Sequence, residues 1–273
     1  MPPKVLNHMT APSMRYDDFM RMAQQLGCVG VHYRNDLGRP LFEGDSPEQV
    51  LQLAAKLGMR ITGLAQLDRF NDWNAERAEQ AAYLIRTAAA VGASGIGLIP
   101  VNDGSGIADD ERRVNLHSAL AELKPLLNAA GLKGFIEPLG FLQSSLRHKD
   151  EAVAAIDAVE GQGTFGLVHD TFHHFLANGA ATGAPVFPQY TEIVEISGVV
   201  GPDLEPQDMR DEHRELVDAH DSIGNVDQIR ELMEAGYTGP VSFEPFSPKV
   251  HGLENPAEAI AQSFDFIASE LSA

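Results

Sequence analysis

The strongest constraint on the fold of this chain is a unit that recurs along it: an Ala/Leu-rich stretch with helical spacing, a glycine, and a short β-prone run. The unit appears in the stretches MAQQLGCVGVHY, LAAKLGMRITGL, TAAAVGASGIGL, LNAAGLKGFIE and LMEAGYTGPVSFE. Glycine tolerates the positive φ at which helices commonly end. The pattern therefore predicts five helix-to-strand junctions, at Gly27, Gly58, Gly92, Gly131 and Gly236.

Apolar runs along the chain predict eight strands, most of them followed by a helical segment. The predicted strands lie at about 4–8, 29–33, 60–66, 95–100, 133–137, 165–169, 193–197 and 240–244. Helix starts are marked at Ser46-Pro47 and Asn255-Pro256, where a capping side chain precedes a proline and Gln or Glu follows at the third helical position. Eight such units predict an α/β fold, a closed (β/α)8 TIM barrel.

A doubly wound open sheet also alternates strands and helices, so periodicity alone does not exclude it. The sequence has no Gly-x-Gly-x-x-Gly fingerprint after the first strand, whereas polar residues follow the C-terminal tips of nearly all eight strands. Candidate functional residues at every strand end favour the barrel. Because no linker or low-complexity tract divides the sequence, we expect one TIM-barrel domain over residues 1–273.

Charge and composition narrow the class of partner. The formal net charge is −19, and no run of Lys or Arg forms a basic patch, so nucleic acid is not an expected partner. No stretch is long and apolar enough for a membrane span or a signal peptide, which predicts a cytoplasmic protein without membrane association. The single cysteine, Cys28, excludes an intramolecular disulfide and is expected to be a buried thiol.

Two predicted strands end in the same way, with a glutamate followed by proline. These are the stretches GFIEP, which contains Glu137, and VSFEP, which contains Glu244. Proline biases the preceding residue to extended backbone and denies the next position a ladder donor, so each carboxylate sits at a strand tip. A glutamate that ends an apolar strand is costly to bury without a cation or hydrogen-bond donors. Exposed loop glutamates are the alternative.

The sixth predicted strand ends in the stretch HDTFHH. Asp170 and His173 are three residues apart across a strand-to-helix turn and can point into one pocket, as a hard and a borderline metal ligand. His169 and His174 are expected to pack or to cap. In the seventh strand, alternation places Glu195 on one face with Ile193 and Ser197, which makes Glu195 a candidate fourth ligand or a local salt-bridge partner.

Together these residues carry a resemblance to a known family. The chain resembles the xylose-isomerase-like barrel family of sugar isomerases and epimerases, and within it most closely the inosose (2-keto-myo-inositol) isomerases. The shared stretches are IEPLGF, HDTFHH, IVEISGV, DEHR and GYTGPVSFEPFSP, and the match runs from Asn7 to the last helix.

The resemblance implies one divalent metal ion held by Glu137, Asp170, the inward residue of the seventh strand and Glu244. It also implies that His173 and Arg214 contact the substrate, and by the same match that Arg34 and Asn7 do so at earlier strand tips. The family pattern has histidine where this chain has Glu195. A fourth carboxylate favours Mn²⁺ or Mg²⁺, with Co²⁺ or Zn²⁺ as alternatives, unless Glu195 does not bind the ion.

The implied function is a metal-dependent isomerase or epimerase of a keto-sugar or keto-cyclitol, with 2-keto-myo-inositol favoured. Glu137 and Glu244 would serve as catalytic acid and base around an enediolate intermediate. Either glutamate can be the base on sequence grounds. Four aromatic residues, Phe70, Trp73, Phe141 and Phe172, are candidates for an apolar wall around a sugar ring or for core positions.

Three alternatives stay open. A lyase of the inosose dehydratase type would expel water from the same intermediate, and a non-catalytic barrel would bind a sugar without turnover. The phosphodiesterase branch of the fold, which cleaves damaged DNA, requires more histidine ligands and a basic groove than this sequence supplies. Because family members often assemble as dimers or tetramers, the resemblance allows a homodimer or a homotetramer, with residues 198–213 long enough to cover a neighbour's site.

Overall fold

Eight parallel strands pair side by side and close into a barrel in a computed structural model that describes residues 1–106, 108–201 and 203–273. The barrel closes where the first strand, Lys4–Asn7, pairs with the last, Val241–Phe243, on one side and with the second, Gly30–Arg34, on the other. This confirms the TIM-barrel prediction, and each predicted strand lies within a few residues of an observed one. The barrel strands are β1 (Lys4–Asn7), β2 (Gly30–Arg34), β3 (Arg60–Leu67), β4 (Gly95–Leu98), β5 (Lys133–Ile136), β6 (Phe165–Asp170), β7 (Thr191–Ile196) and β10 (Val241–Phe243).

Helices alternate with the strands and surround the barrel. They are α1 (Tyr16–Gln25), α2 (Pro47–Leu57), α3 (Ala75–Ala90), α4 (Asp109–Ala130), α5 (Lys149–Ala158), α6 (Thr171–Asn178), α7 (Asn225–Glu234), α8 (Pro248–His251) and α9 (Pro256–Ser272). Each of the five junction glycines has a positive φ, between 66° and 99°, as predicted. None of the helices of the described residues has the length and apolarity needed to cross a membrane.

The two predicted helix starts differ in detail. Ser46 forms the predicted capping box with Gln49 at the start of α2. Asn255 does precede Pro256 at the start of α9, but its side chain makes no capping hydrogen bond to the backbone. Its amide donates instead to the carboxylate of Glu258, at 3.2 Å. The sequence pattern located this helix start correctly and gave the wrong partner for the asparagine.

The barrel interior begins with an apolar layer. Val5, Phe135, Val168 and Ile193 form one buried cluster, and the ring of His32 lies 6.5 Å from that of Phe135. Glycines on the neighbouring strands make room for these rings: a Cβ at position 63 would lie 2.8 Å from His32, and one at position 95 would lie 2.7 Å from Phe135. The large side chains therefore fill the barrel, which leaves the next layer to polar residues.

The connection after β7 folds over the C-terminal end of the barrel. It contains a short antiparallel pair, β8 (Gly198–Val199) with β9 (Arg214–Glu215). A small buried cluster joins Val199 and Met209 of this connection to Phe172 and Leu176 of α6. Part of the 198–213 segment therefore packs on the chain's own α6.

Candidate metal centre

The polar residues at the strand tips form a second interior layer directly above the apolar one. Side chains two residues apart on a strand share a face, so each tip residue lies on the same side as an interior residue below it. Six such pairs, each given as the interior residue and then the tip residue, are Val5 and Asn7, His32 and Arg34, Phe135 and Glu137, Val168 and Asp170, Ile193 and Glu195, and Ser242 and Glu244. Strand alternation therefore brings six predicted site residues into one layer at the C-terminal end of the barrel.

Four carboxylates meet in this layer. Glu137, Asp170, Glu195 and Glu244 each offer an oxygen, and these oxygens lie within 4.8 Å of one another. All four side chains are buried, with the residues between 2% and 7% exposed. Glu137 and Asp170 also group with His173 by the same spacing. The structure thus brings together every residue that the sequence predicted as a metal ligand.

Glu244 is the best compensated of the four. Its Oε1 accepts from the Asn7 amide at 2.9 Å and from Nη1 of Arg34, while its Oε2 accepts from Nη2 of Arg214 at 2.9 Å. Asp170 accepts from the same Arg214 nitrogen and, through its other oxygen, caps α6 by accepting from the His173 backbone N–H at 2.9 Å. Burial raises the pKa of Glu244, and the two arginines oppose that rise.

Glu137 and Glu195 have weaker partners. Glu195 accepts a hydrogen bond from the Asn7 amide at 2.9 Å, and Glu137 lies 3.7 Å from Nε2 of His173. Within the described chain, no arginine or lysine forms an ion pair with either one. Burial raises the pKa of both carboxyls well above the usual range, and the neighbouring Glu244 raises them further.

This donor set fits a divalent cation. If ionised, the four carboxylates carry twice the charge of the two buried arginines, and one divalent ion balances the remainder. Burying carboxylates without such compensation is strongly unfavourable. An all-oxygen set of carboxylates suits a hard ion such as Mg²⁺ or Mn²⁺. Glu137, Asp170, Glu195 and Glu244 are therefore the residues that could hold the ion.

His173 presents a neutral N–H to the cluster. Its Nδ1 accepts a hydrogen bond from the Gly140 backbone N–H at 3.3 Å, so the ring proton is on Nε2, the atom that faces Glu137. Burial lowers the pKa of His173 to about 4. The imidazole is therefore a hydrogen-bond donor at neutral pH, without a positive charge.

Two further histidines and four aromatic residues were also singled out in the sequence, and only two of these six lie beside the site. His169 and His174 both pack outside the barrel, where their Nδ1 atoms lie 2.9 Å and 2.6 Å from Nζ of Lys149. Of the four aromatic candidates, Phe70 belongs to the main hydrophobic core and Trp73 packs against it, whereas the other two contact His173. The ring of Phe141 lies 5.1 Å from the His173 ring and that of Phe172 lies 5.4 Å from it.

Phe246 is the site residue that the sequence reasoning missed. Its ring lies close to two guanidinium groups, 5.5 Å from that of Arg34 and 4.5 Å from that of Arg214. Phe246 follows Glu244 by two residues within the quoted stretch FEPFSP, which is the signal that could have identified it. Because Glu244 ends a strand and proline separates the two, alternation alone gave no direction for this ring.

The chain is similar to known proteins in sequence and in fold. The chain is 28% identical to the inosose isomerase of Halalkalibacterium halodurans over 183 residues, which are 67% of this chain and 63% of that relative's length. Its fold matches a xylose isomerase domain containing protein from Salmonella typhimurium LT2 with a TM-score of 0.90, at 28% identity, over 100% of this chain and 98% of the other.

A second solved structure shares the fold at lower identity. The IolI protein with a bound zinc atom matches with a TM-score of 0.82, at 18% identity, over 100% of this chain and 98% of that one. The family model of the xylose isomerase-like TIM barrel matches residues 20–270. This chain therefore belongs to the xylose isomerase-like TIM barrel family.

Proposed function

We propose that the protein is a metal-dependent isomerase or epimerase of a keto-sugar or keto-cyclitol, with 2-keto-myo-inositol as the favoured substrate. The observation that carries the proposal is the placement of Glu137 and Glu244. They directly follow β5 and β10, which β6 and β7 separate around the barrel, yet both reach the same carboxylate cluster. Two carboxylates that meet in one cluster from different strands suit the removal and the return of a proton.

The chain's own groups can move the protons of such a reaction. One of the two glutamates accepts the proton on the carbon next to the substrate carbonyl, which leaves an enediolate. In an isomerisation the other returns a proton to the former carbonyl carbon while the hydroxyl proton passes to the former carbonyl oxygen, and in an epimerisation it returns the proton to the same carbon from the opposite face. The Nε2–H of His173 donates a hydrogen bond to a substrate oxygen. A divalent ion in the carboxylate cluster, when bound, stabilises negative charge on the carbonyl oxygen.

The charge balance of the site supports a neutral substrate. The carboxylates of the cluster face Arg34, Arg214 and one divalent ion, and the His173 ring is neutral. Both arginines also pair with carboxylates outside the cluster, Asp36 and Asp211. No positive charge of this layer is left over for a carboxylate or a phosphate group on the substrate. A neutral polyol ketone is the class that requires none, and the similarity to an inosose isomerase supports a keto-inositol within that class.

Glu195 supports a hard metal ion. It replaces the histidine of the family pattern and reaches the cluster, where its oxygen lies within 4.8 Å of the other three. Because carboxylate oxygen favours Mg²⁺ and Mn²⁺ and imidazole nitrogen favours Zn²⁺, we propose Mn²⁺ or Mg²⁺ as the working ion.

The test follows 2-keto-myo-inositol by proton NMR in D₂O. The protein is stripped with chelator and then receives Mg²⁺, Mn²⁺, Co²⁺ or Zn²⁺ in separate samples. We expect an isomeric ketone that carries deuterium at the exchanged carbon, fastest with Mn²⁺ or Mg²⁺. Loss of water with an ultraviolet-absorbing product would make the protein a lyase instead, and binding without exchange under every ion would refute the catalytic proposal.

Variants of single glutamates sharpen this test. Glu137→Gln and Glu244→Gln should each lower turnover by about 100-fold or more, since general acid–base catalysis contributes on this scale. Glu192→Gln is the matched control, because Glu192 is on β7 but its carboxylate pairs with Lys133 outside the cluster. Turnover close to that of the unmodified protein in both site variants would rule out the two-glutamate mechanism.

A further inference from the structure

Two arginines are buried within the carboxylate layer, where a metal ion would also bind. Arg34 is 7% exposed and Arg214 is 1% exposed. Each guanidinium group directs one nitrogen inward: Nη1 of Arg34 to Glu244, and Nη2 of Arg214 to both Glu244 and Asp170. Both oxygens of Glu244 and one oxygen of Asp170 therefore already have a cationic partner.

Arg214 is fixed in position from outside the cluster. Its Nε donates to Ser197 Oγ at 3.0 Å, and its Nη1 donates to Asp211 at 3.3 Å. The Phe172 ring lies 5.1 Å from the guanidinium on one side and the Phe246 ring lies 4.5 Å from it. These contacts hold the inner nitrogen between the carboxylates of Asp170 and Glu244.

Arg34 repeats this arrangement on the other side of Glu244. Its Nε and Nη2 donate to Asp36 at 2.9 Å and 2.6 Å, and Nη2 also donates to Gln66 at 3.1 Å. The Phe246 ring is close to both this guanidinium and that of Arg214. Both guanidinium groups are thus anchored by outer partners and present a single nitrogen to the cluster.

We infer that Arg34 and Arg214 are fixed counter-cations of the carboxylate cluster, which stabilise the metal-free barrel and lower its affinity for a divalent ion. The inference rests on the proposed function in one respect, that the cluster binds such an ion. A cation that binds here must share Glu244 and Asp170 with the guanidinium groups and approaches two fixed positive charges. Inside a protein such charges interact more strongly than in water, since solvent screens them less.

The inference predicts opposite effects on stability and on affinity when one arginine is removed. Without Arg214 the buried carboxylates lose compensation, so the metal-free protein becomes less stable. The ion then meets less repulsion and replaces a missing charge, so it binds more tightly. If the arginines served instead to arrange the ligands for the ion, their removal would weaken binding of the ion. The two roles therefore predict opposite changes in the Kd.

The experiment measures Mn²⁺ binding by titration calorimetry and melting temperature with and without Mn²⁺, using the full chain at pH 7.5. We expect Arg214→Met and Arg34→Met each to lower the Kd for Mn²⁺ by about tenfold or more, which is the scale of a single charge-pair contribution. Both variants should melt lower than the unmodified protein without metal and show a larger rise on adding Mn²⁺. Arg214→Lys, which keeps the charge, should change the Kd less than Arg214→Met does.

The matched control is Arg69→Met. Arg69 pairs with Asp103 and Asp72 near the same end of the barrel and makes no contact with the cluster. The Kd of this variant for Mn²⁺ should therefore equal that of the unmodified protein. An unchanged or higher Kd in Arg34→Met would overturn the inference, even if Arg214→Met fails to fold. If the unmodified protein binds no Mn²⁺, Mg²⁺, Co²⁺ or Zn²⁺, the proposed metal-dependent function fails first, which is a distinguishable result.

Discussion

At the scale of single residues, Gly140 shows how closely the backbone approaches the site. A Cβ at this position would lie 2.3 Å from the backbone oxygen of His173 and 2.6 Å from Leu176. Its N–H also fixes the tautomer of His173. Only a residue without a side chain allows the loop after β5 and helix α6 to come this close.

We therefore expect Gly140→Ala to destabilise the protein by about 2 kcal/mol or more, as overpacking of a tight contact does. Urea unfolding measures the change. Gly97→Ala is the matched control, because a Cβ at position 97 would make only ordinary contacts of 3.5 Å with Ala65. Equal stability of the two variants would show that the α6 contact yields more easily than its distances indicate.

Burial of His32 makes the stability of the fold depend on pH. Neither ring nitrogen has a hydrogen-bond partner among the described residues, and burial lowers the pKa of His32 to about 3. In the unfolded chain the ordinary value is about 6.5. Below that pH the unfolded state takes up a proton that the folded state excludes, so this residue lowers stability progressively as the pH falls from about 6.5 towards 3.

Replacing His32 by Leu should therefore reduce the loss of stability between pH 7 and pH 5. The measurement compares urea unfolding at the two pH values for the variant and the unmodified protein. His220→Gln, at an exposed position, is the control and should leave the difference as it is. A His32→Leu protein with the full acid-induced loss would assign that loss to other groups.

At the scale of secondary-structure elements, α6 begins at a residue of the candidate metal centre. Asp170 caps the helix with one oxygen and faces Arg214 and the cluster with the other. Asparagine retains the capping oxygen and alanine does not. Asp170→Ala should therefore be less stable than Asp170→Asn by about 1 kcal/mol, the usual contribution of an N-cap.

Chemical unfolding of both variants without metal measures this difference. Ser46→Ala provides the comparison, because Ser46 caps α2 at a site remote from the cluster and should lose a similar amount. If the two Asp170 variants unfold at the same urea concentration, the cap contributes nothing and Asp170 serves the cluster alone.

The elements also show why part of this structure could be read from sequence. Strand periodicity and helix-ending glycines are local signals, and they located all eight barrel strands and the tip residues. The partners of those tip residues are not local. Arg214 reaches Asp170 through a two-residue strand pair across a long connection, and Phe246 lies beside two arginines because β2, β9 and β10 meet there. Such contacts depend on barrel closure, which no local pattern encodes.

At the scale of the whole molecule, the net charge of −19 sets the response to salt. Like charges on one compact body repel, and dissolved ions screen that repulsion within about 10 Å at 0.1 M. We expect the melting temperature to rise as NaCl increases from 10 mM to 300 mM, measured in the presence of chelator so that metal binding does not contribute. A fall would mean that the surface ion pairs, which salt also weakens, dominate over the net repulsion.

Barrel closure determines when, during synthesis of the chain, the site can form. Asn7 of β1 donates to Glu195 and Glu244, which are 188 and 237 residues further along the chain. At a ribosomal rate of about 5 to 20 residues per second, roughly 10 to 50 seconds separate the synthesis of the first of these residues from that of the last. Until β10 emerges, β1 lacks one neighbour and the ligand set lacks Glu244. A nascent chain therefore cannot complete the carboxylate cluster before translation has passed the final barrel strand.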